Sequence, residues 1–406
     1  MKVLLVSPLD LAAPSGVNKQ IFGLCRVLTA AGIEAHVAGS SSTQHRFGDR
    51  VHSFFATNDG TKKTAATIES QMSALIARES FDVVHSYEPL ASPLTTAAMH
   101  AHAAATVATF FSRPLGADKS HAPRRWLTRL LARKSTALVD QIQGLVATSR
   151  SVQMDVREAF ARDAAVIPVG IDGARFHPEA RGEGDAPKTD PRTSLLKVLF
   201  VGDWQRKERG FDLLYAALER LSAMRPIELA VVGSTQKPGL AQTASLHTRF
   251  FGHVSDLRLP ELYRRTDVVV APALDKRVGG SALVEAMACG APVIASDVGP
   301  YKELAAGSGA VLVPAANLDA LVAALSVLAA RPEERLLRGE ANALAAESYR
   351  WEHLQGDIIS LYERVSPKSR TASLAASAPT AIARAEEAAL SDAPNEAAKK
   401  LRSLAL

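Results

Sequence analysis

Short apolar runs alternate with longer stretches of helical period along most of this chain, and the alternation halts once, near residue 180, before it begins again. In the first half the runs lie at 3–6, 34–38, 83–85, 105–110, 144–147 and 165–168, with helical stretches such as 20–31 and 64–79 between them. In the second half they lie at 197–201, 228–232, 249–251, 268–271, 293–296 and 310–313. A short apolar run flanked by helices reads as a parallel strand buried on both faces, because parallel neighbours need a crossover and the crossover covers the sheet. The interruption at 178–194, PEARGEGDAPKTDPRTS, is rich in Pro, Gly and charge and reads as an interdomain linker. The expected fold class is therefore α/β, with doubly wound, Rossmann-like domains over 1–177 and 195–350. A helix is expected over 351–365, with the option of returning to the first domain. The Ala/Ser-rich stretch 366–406 has few bulky apolar residues and is expected to be disordered.

Composition narrows the function classes. A chain of 406 residues, 47% hydrophobic and 22% charged, is long enough for two ordinary globular domains with their own cores. Its only cysteines, Cys25 and Cys289, are far apart in apolar surroundings, which argues against a disulfide framework or a zinc site and fits a reducing cytoplasm. The opening MKVLLVSPLD is too short in its apolar run for a signal peptide core, and no apolar stretch nears the roughly 18 residues a membrane span needs. A net charge of +5 favours anionic partners. Nucleic acid is not expected, since the basic residues cluster locally without an aromatic platform or a binding motif. A nicotinamide dinucleotide is not expected either, because no G-x-G-x-x-G follows the first strand.

Ligands of doubly wound sheets bind beyond the carboxyl ends of the strands, so the loops after strands hold the candidate site. In VGGSALVEAMACGAPVIAS (278–296), backbone N–H groups of Gly279, Gly280, Ser281 and Ala282 can converge on a phosphate at the positive end of a helix. Glu285, one turn further in, can accept hydrogen bonds from a vicinal diol such as ribose. The plainer reading is a tight turn followed by an acid that suits the helix dipole. After the first strand, Gly16 can bring backbone N–H groups into the cleft, or it serves only the turn. Arg206, Lys207 and Arg209 crowd before Gly210, where positive charge can neutralise a departing diphosphate. Arg209 is the first choice and Arg206 the second, against a reading as a solvated loop. Finally, 113–134 gathers Arg113, Lys119, Arg124, Arg125, Arg129, Arg133 and Lys134 against the single acid Asp118. With Trp126, Leu127, Leu130 and Leu131 at helical spacing, it reads as a helix for an anionic membrane surface or as a surface helix whose stripe joins the core.

Six motifs then follow one another: PSGV at 14–17, DVVH at 82–85, TSRS at 148–151, IPVGID at 167–172, QRKERGFD at 205–212 and VEAMACGAPVIASD at 284–297. Their order resembles glycosyltransferase family 4 among the GT-B glycosyltransferases, over residues 1 to about 365. The resemblance implies a GT-B fold, two Rossmann-like domains facing across a cleft. It implies a retaining, metal-independent, hexosyltransferase-like enzyme that uses a UDP- or GDP-linked sugar as substrate, with no cofactor. Its acceptor would be a hydroxyl of a glycan or lipid-linked molecule in cell-envelope glycoconjugate synthesis, reached from the cytoplasm and the inner membrane face. No metal is expected, and the sequence has no Asp-x-Asp motif. The base would lie by the backbone of 252–254, including Val254, the ribose on Glu285, and the phosphates between Arg206, Arg209 and the helix opened by Gly279 and Gly280.

Departures from the family pattern mark the sugar and acceptor sides. Where relatives often have a glutamate eight residues before Glu285, this chain has Arg277, which can bind a carboxylate or phosphate; Asp275 can replace the missing acid. Where many relatives read T-F-H, this chain has Phe111. His85 or Glu88 can supply a polar group there, with His85 equally readable as a core histidine. Asp203 stands where an arginine is common, and Val169 where IPNGVD has asparagine. The alternative function is a non-catalytic nucleotide-sugar or glycan-binding GT-B protein.

Overall fold

A computed structural model describes residues 1–41, 49–54, 62–100, 103–112, 114, 134–179, 194–234, 245–275 and 278–366. Most of the basic segment 113–134, Arg277, most of the linker 178–194 and the stretch beyond Ser366 lie outside the described residues. The first half forms β1 (Lys2–Asp10), β2 (Glu34–Ser40), β3 (Val51–Phe54), β4 (Val83–Tyr87), β5 (Ala105–Phe110), β6 (Gly144–Ala147) and β7 (Ala165–Val166). They build a seven-stranded sheet in the order β3-β2-β1-β4-β5-β6-β7, parallel throughout. The second half forms β8 (Leu196–Val201), β9 (Ile227–Val232), β10 (Leu246–Gly252), β11 (Val268–Ala271), β12 (Val293–Ser296) and β13 (Val311–Val313). These make a parallel six-stranded sheet in the order β10-β9-β8-β11-β12-β13.

Every residue of β4, β5 and β6 is buried, as expected of strands covered on both faces, and the polar ones among them, His85, Ser86, Thr106 and Thr109, are all hydrogen-bonded. The exception to the sequence reading is β3. VHSF forms an edge strand with three partly exposed residues, so it carries neither a continuous apolar run nor a clear alternation.

Strand order reverses between β1 and β4 in the first sheet and between β8 and β11 in the second. The crevice at such a switch point takes the ligand in doubly wound folds. The loop carrying Gly16 follows β1 and the one carrying Glu88 follows β4. Likewise the basic loop follows β8, and the loop to Gly279 and Gly280 follows β11. The fold therefore brings four distant loops to the two switch points.

The Trp351–Val365 helix packs on the core of the first sheet. Trp351, Leu354, Ile358, Leu361 and Tyr362 share a cluster with Val3, Leu5 and Val107. The chain passes between the domains twice, and the two passages run side by side: Ile171 N–H donates to Tyr349 O (2.8 Å) and Trp351 N–H donates to Ile171 O (3.0 Å). Gly170 is held on both its backbone groups by the Gln20 amide, at 2.8 Å each. A Cβ at Gly170 would lie 2.3 Å from the Trp351 indole, so only glycine fits between the two passages. Among the described residues, no helix is long and apolar enough to cross a membrane.

Candidate active site

The Ser281–Ala288 helix opens without a side-chain cap. Its first intrahelical bond runs from Val284 N–H to Gly280 O (3.1 Å), which leaves the N–H groups of Ser281, Ala282 and Leu283 without an acceptor inside the helix. The two glycines before it do different things. A Cβ at Gly280 would sit 2.1 Å from Leu304 Cδ1, so this glycine lets the Gly299–Ala305 helix pack close behind the turn. At Gly279 a Cβ would meet nothing within 4 Å among the described residues, which leave the space beside it open to a ligand. Gly16 stands opposite: a Cβ there would be 2.8 Å from Ser281 Oγ, which places the first domain's loop against the helix opening.

Glu285 is buried, and its carboxylate is held from two sides. Tyr263 donates its hydroxyl to Oε2 (3.2 Å), while Lys19 Nζ lies 3.3 Å from Oε1 and 3.5 Å from Oε2. Burial pushes the Glu285 carboxyl upward, and the Lys19 ammonium opposes that shift. Lys19 also pairs with Asp256 at 3.0 Å, on the second-domain loop that carries Val254. Val254 itself is partly buried against the second-domain core. Neither Lys19 nor Tyr263 was singled out from sequence. One signal was present, since Lys19 puts a cation in the first turn of the Gly16–Ala30 helix against the helix dipole, a placement that calls for nearby anions.

The basic loop separates its two arginines. Arg206 is exposed and turns to Glu208, with its Nε 2.7 Å from Oε1. Arg209 turns inward, where its side chain faces the buried Tyr301 hydroxyl and its enclosed Nε has no hydrogen-bond partner among the described residues. Tyr301 belongs to the same Gly299–Ala305 helix whose Leu304 packs on Gly280. One short helix thus backs both the inward arginine and the uncapped helix opening. A buried guanidinium N–H without an acceptor is costly, and an anion in the cleft would satisfy it.

On the first-domain side, the three sequence candidates separate. His85 is fully enclosed: Nδ1 lies 2.6 Å from Tyr362 Oη and Nε2 lies 2.7 Å from Thr109 Oγ1. Burial pushes its imidazole down to about 3, so it stays neutral, and both nitrogens are spent tying β4 to β5 and the last helix. His85 thus sits in the core of the first domain, with both ring nitrogens occupied. Glu88 has a left-handed backbone (φ 46°), rare for a non-glycine residue, and its Oε1 accepts from the backbone N–H of Phe111 (2.7 Å) and Ser112 (3.2 Å). Burial raises its carboxyl to about 7 even though those N–H donors pull the other way. Phe111 stacks on Tyr87 with centroids 5.8 Å apart and touches both domains' cores. The residue that replaces the family's histidine is therefore apolar filling at the junction, held at its backbone by Glu88. Val169 is likewise buried in the second-domain core, which suits the valine found in place of asparagine.

Among the described residues, no group of three or more His, Cys, Asp or Glu side chains is arranged to hold a metal ion. Residues 14–175 match the family described as Glycosyltransferase Family 4, and residues 196–331 the one described as Glycosyl transferases group 1. The phosphatidyl-myo-inositol mannosyltransferase of Mycolicibacterium smegmatis is 31% identical over 389 residues, covering 90% of this chain and 94% of that protein. Its Mycobacterium tuberculosis namesake is 28% identical over 383 residues, covering 90% and 97%. Among solved structures, sucrose-phosphate synthase from Thermosynechococcus elongatus matches with a TM-score of 0.74 at 19% identity, covering 89% of this chain and 98% of that one. WaaG, a glycosyltransferase involved in lipopolysaccharide biosynthesis, matches with a TM-score of 0.61 at 16% identity, covering 90% and 100%. With both sheets inside the matched ranges and a curated relative alike over nine-tenths of its length, the chain belongs to glycosyltransferase family 4 and is a glycosyltransferase of the GT-B fold.

Proposed function

We propose that this enzyme is a retaining hexosyltransferase that moves a sugar from a UDP- or GDP-linked donor to a hydroxyl of a lipid-linked or glycan acceptor, in cell-envelope glycoconjugate synthesis at the cytoplasmic membrane face. The observation that carries the donor half is the buried Arg209 Nε, unpartnered among the described residues and backed by the same helix that backs the uncapped opening at Gly280. In this reading the diphosphate lies between them and Glu285 accepts from the ribose hydroxyls. The bond from the anomeric carbon to the departing phosphate oxygen breaks as the acceptor oxygen bonds to that carbon on the same face. The acceptor proton passes to the leaving diphosphate. No protein nucleophile is then required, and the protein supplies position and charge. The acceptor class rests on relatives named for a phosphatidyl-myo-inositol substrate and on the basic segment 113–134. Residues 1–177 with 351–365 form the acceptor domain in this reading, and 195–350 the donor domain.

A thermal-shift screen against UDP, GDP, ADP and their common sugar conjugates tests the donor half, because a ligand of the native state raises the melting temperature. One nucleotide class should give a clear rise. Glu285→Ala should weaken its binding by about ten- to a hundredfold, the usual worth of hydrogen bonds to a charged acceptor. A screen without any shift, or an alanine variant that binds like the parent, would reject the assignment.

Glu88 gives a separate check on the acceptor side. Its folded-state carboxyl keeps its proton to about pH 7, whereas the unfolded chain gives it up near the ordinary value of 4.5. Folding therefore takes up a proton between those values, and stability from this group falls as pH rises through that window. Glu88→Gln keeps an oxygen for the Phe111 and Ser112 N–H groups but cannot ionise. Relative to this variant, the parent should lose several degrees of melting temperature between pH 5 and pH 8. A constant difference across that range would show that the carboxyl is not enclosed as described.

A further inference from the structure

Glu285 lies on the second domain, but among the described residues its only ion-pair partner comes from the first domain. Lys19 Nζ reaches it from the Gly16–Ala30 helix, 266 positions away in sequence. The Glu285 side chain is 6% exposed, and a carboxylate so enclosed needs a nearby cation to remain ionised. The contacts of 3.3 and 3.5 Å are longer than the roughly 2.7–2.9 Å of a saturated charge-assisted bond. The ammonium thus neutralises the carboxylate while leaving it acceptor capacity. Its own shorter contact is to Asp256 (3.0 Å), and its Nζ lies over the Phe176 ring, 5.9 Å from the centroid. Asp256 in turn faces Arg175 (3.7 Å), which faces Asp172 (3.6 Å), itself paired with Arg26 of the Lys19 helix (2.7 Å). Alternating charges therefore fix Lys19 to both domains and to the first interdomain passage.

We propose that Lys19 is a specificity-determining positioning residue of the donor site: the acceptor domain lends it to Glu285, and it keeps that carboxylate charged and aimed so that ribose is selected over 2′-deoxyribose. The proposal rests on the reading of Glu285 as the ribose acceptor. A hydroxyl donates to a carboxylate more strongly than to a neutral acid, so the 2′-hydroxyl counts for most while Lys19 is in place. Lys19 acts through Glu285 and plays no part in the bond exchange at the sugar.

The test is calorimetric titration of the full chain with UDP or GDP, whichever the thermal screen selects, and with its 2′-deoxy form. The parent should favour the ribonucleotide by about tenfold or more. In Lys19→Met that preference should fall to within about threefold, and Glu285→Gln added to Lys19→Met should lower it no further. Should Lys19→Met fail to fold, Lys19→Gln also removes the charge and carries the same expectation. A preference that survives in the Lys19 variants but vanishes in Glu285→Gln would overturn the proposal and leave the donor-site reading standing. A parent without ribose preference, unchanged by Glu285→Gln, would overturn both. A purely structural role for Lys19 would weaken both nucleotides equally and leave their ratio intact, which also counts against the proposal.

Discussion

Replacing Arg209 by alanine is expected to lower kcat by about 10²–10³-fold, with a smaller change in the donor KM. The charge on a leaving diphosphate grows as the glycosidic bond breaks, so a cation already fixed beside it stabilises the transition state more than the bound substrate. Arg209 is fixed in this way. It is the inward member of the basic loop, set against the buried Tyr301 hydroxyl, and among the described residues its Nε has no acceptor to compete with a phosphate. Arg206 supplies the control. It is exposed and already paired with Glu208, and pairs of that kind contribute little, so Arg206→Ala should stay within about threefold of the parent. Steady-state kinetics on both variants separate the roles. Equal losses would mean that the loop acts through its net charge and that the inward position of Arg209 has no special part.

Why Arg209 and not Arg206 turns inward was not readable from the QRKERG sequence alone. The choice is made by Tyr301, on an element more than ninety residues away by the numbering, and by the bond from Leu274 N–H to Glu208 O (2.9 Å) that seats the loop. The same division runs through the whole site. The strands were legible because a strand buried on both faces is mostly apolar, as in LKVLFV of β8 and VVVA of β11. At the edge that requirement lapses, and VHSF of β3 gave no signal. Glycine motifs were legible as turns, but whether each serves packing or a ligand emerged only from what surrounds it: Leu304 crowds Gly280, while no described residue fills the space beside Gly279. DVVH was legible as a motif, yet the orientation of its histidine depends on Tyr362 at the far end of the chain. Least legible were contacts between the domains. Lys19 meets Glu285, and Glu303 accepts from the N–H groups of Arg150 and Ser151 at 2.6 and 2.7 Å, closing a first-domain helix opening with a second-domain acid. Such pairs have no local period. They follow from the way the two sheets face each other, which neither half encodes alone.

Gly210→Ala is expected to cause the largest combined loss of stability and turnover of any single methyl added to the site. Gly210 has a left-handed backbone, φ 72°, where an L side chain costs roughly 1–2 kcal/mol before any contact is considered. The contact is worse. An added Cβ would lie 1.8 Å from the Pro272 carbonyl oxygen, an overlap that side-chain rotation cannot relieve because both atoms are fixed to backbone. Gly210 also joins the short Lys207–Arg209 turn to the Phe211–Ser222 helix, so any relief must displace Arg209 or that helix. The helix carries Phe211, Leu214 and Leu218 into the second-domain core and resists movement, so the basic loop should yield instead. The variant should melt several degrees below the parent. At a temperature where it is still folded, its kcat should fall about as far as that of Arg209→Ala, and Arg209→Ala added to Gly210→Ala should cost little more. Independent, multiplying losses in that double variant would mean that the loop kept its place and that the glycine matters for folding alone.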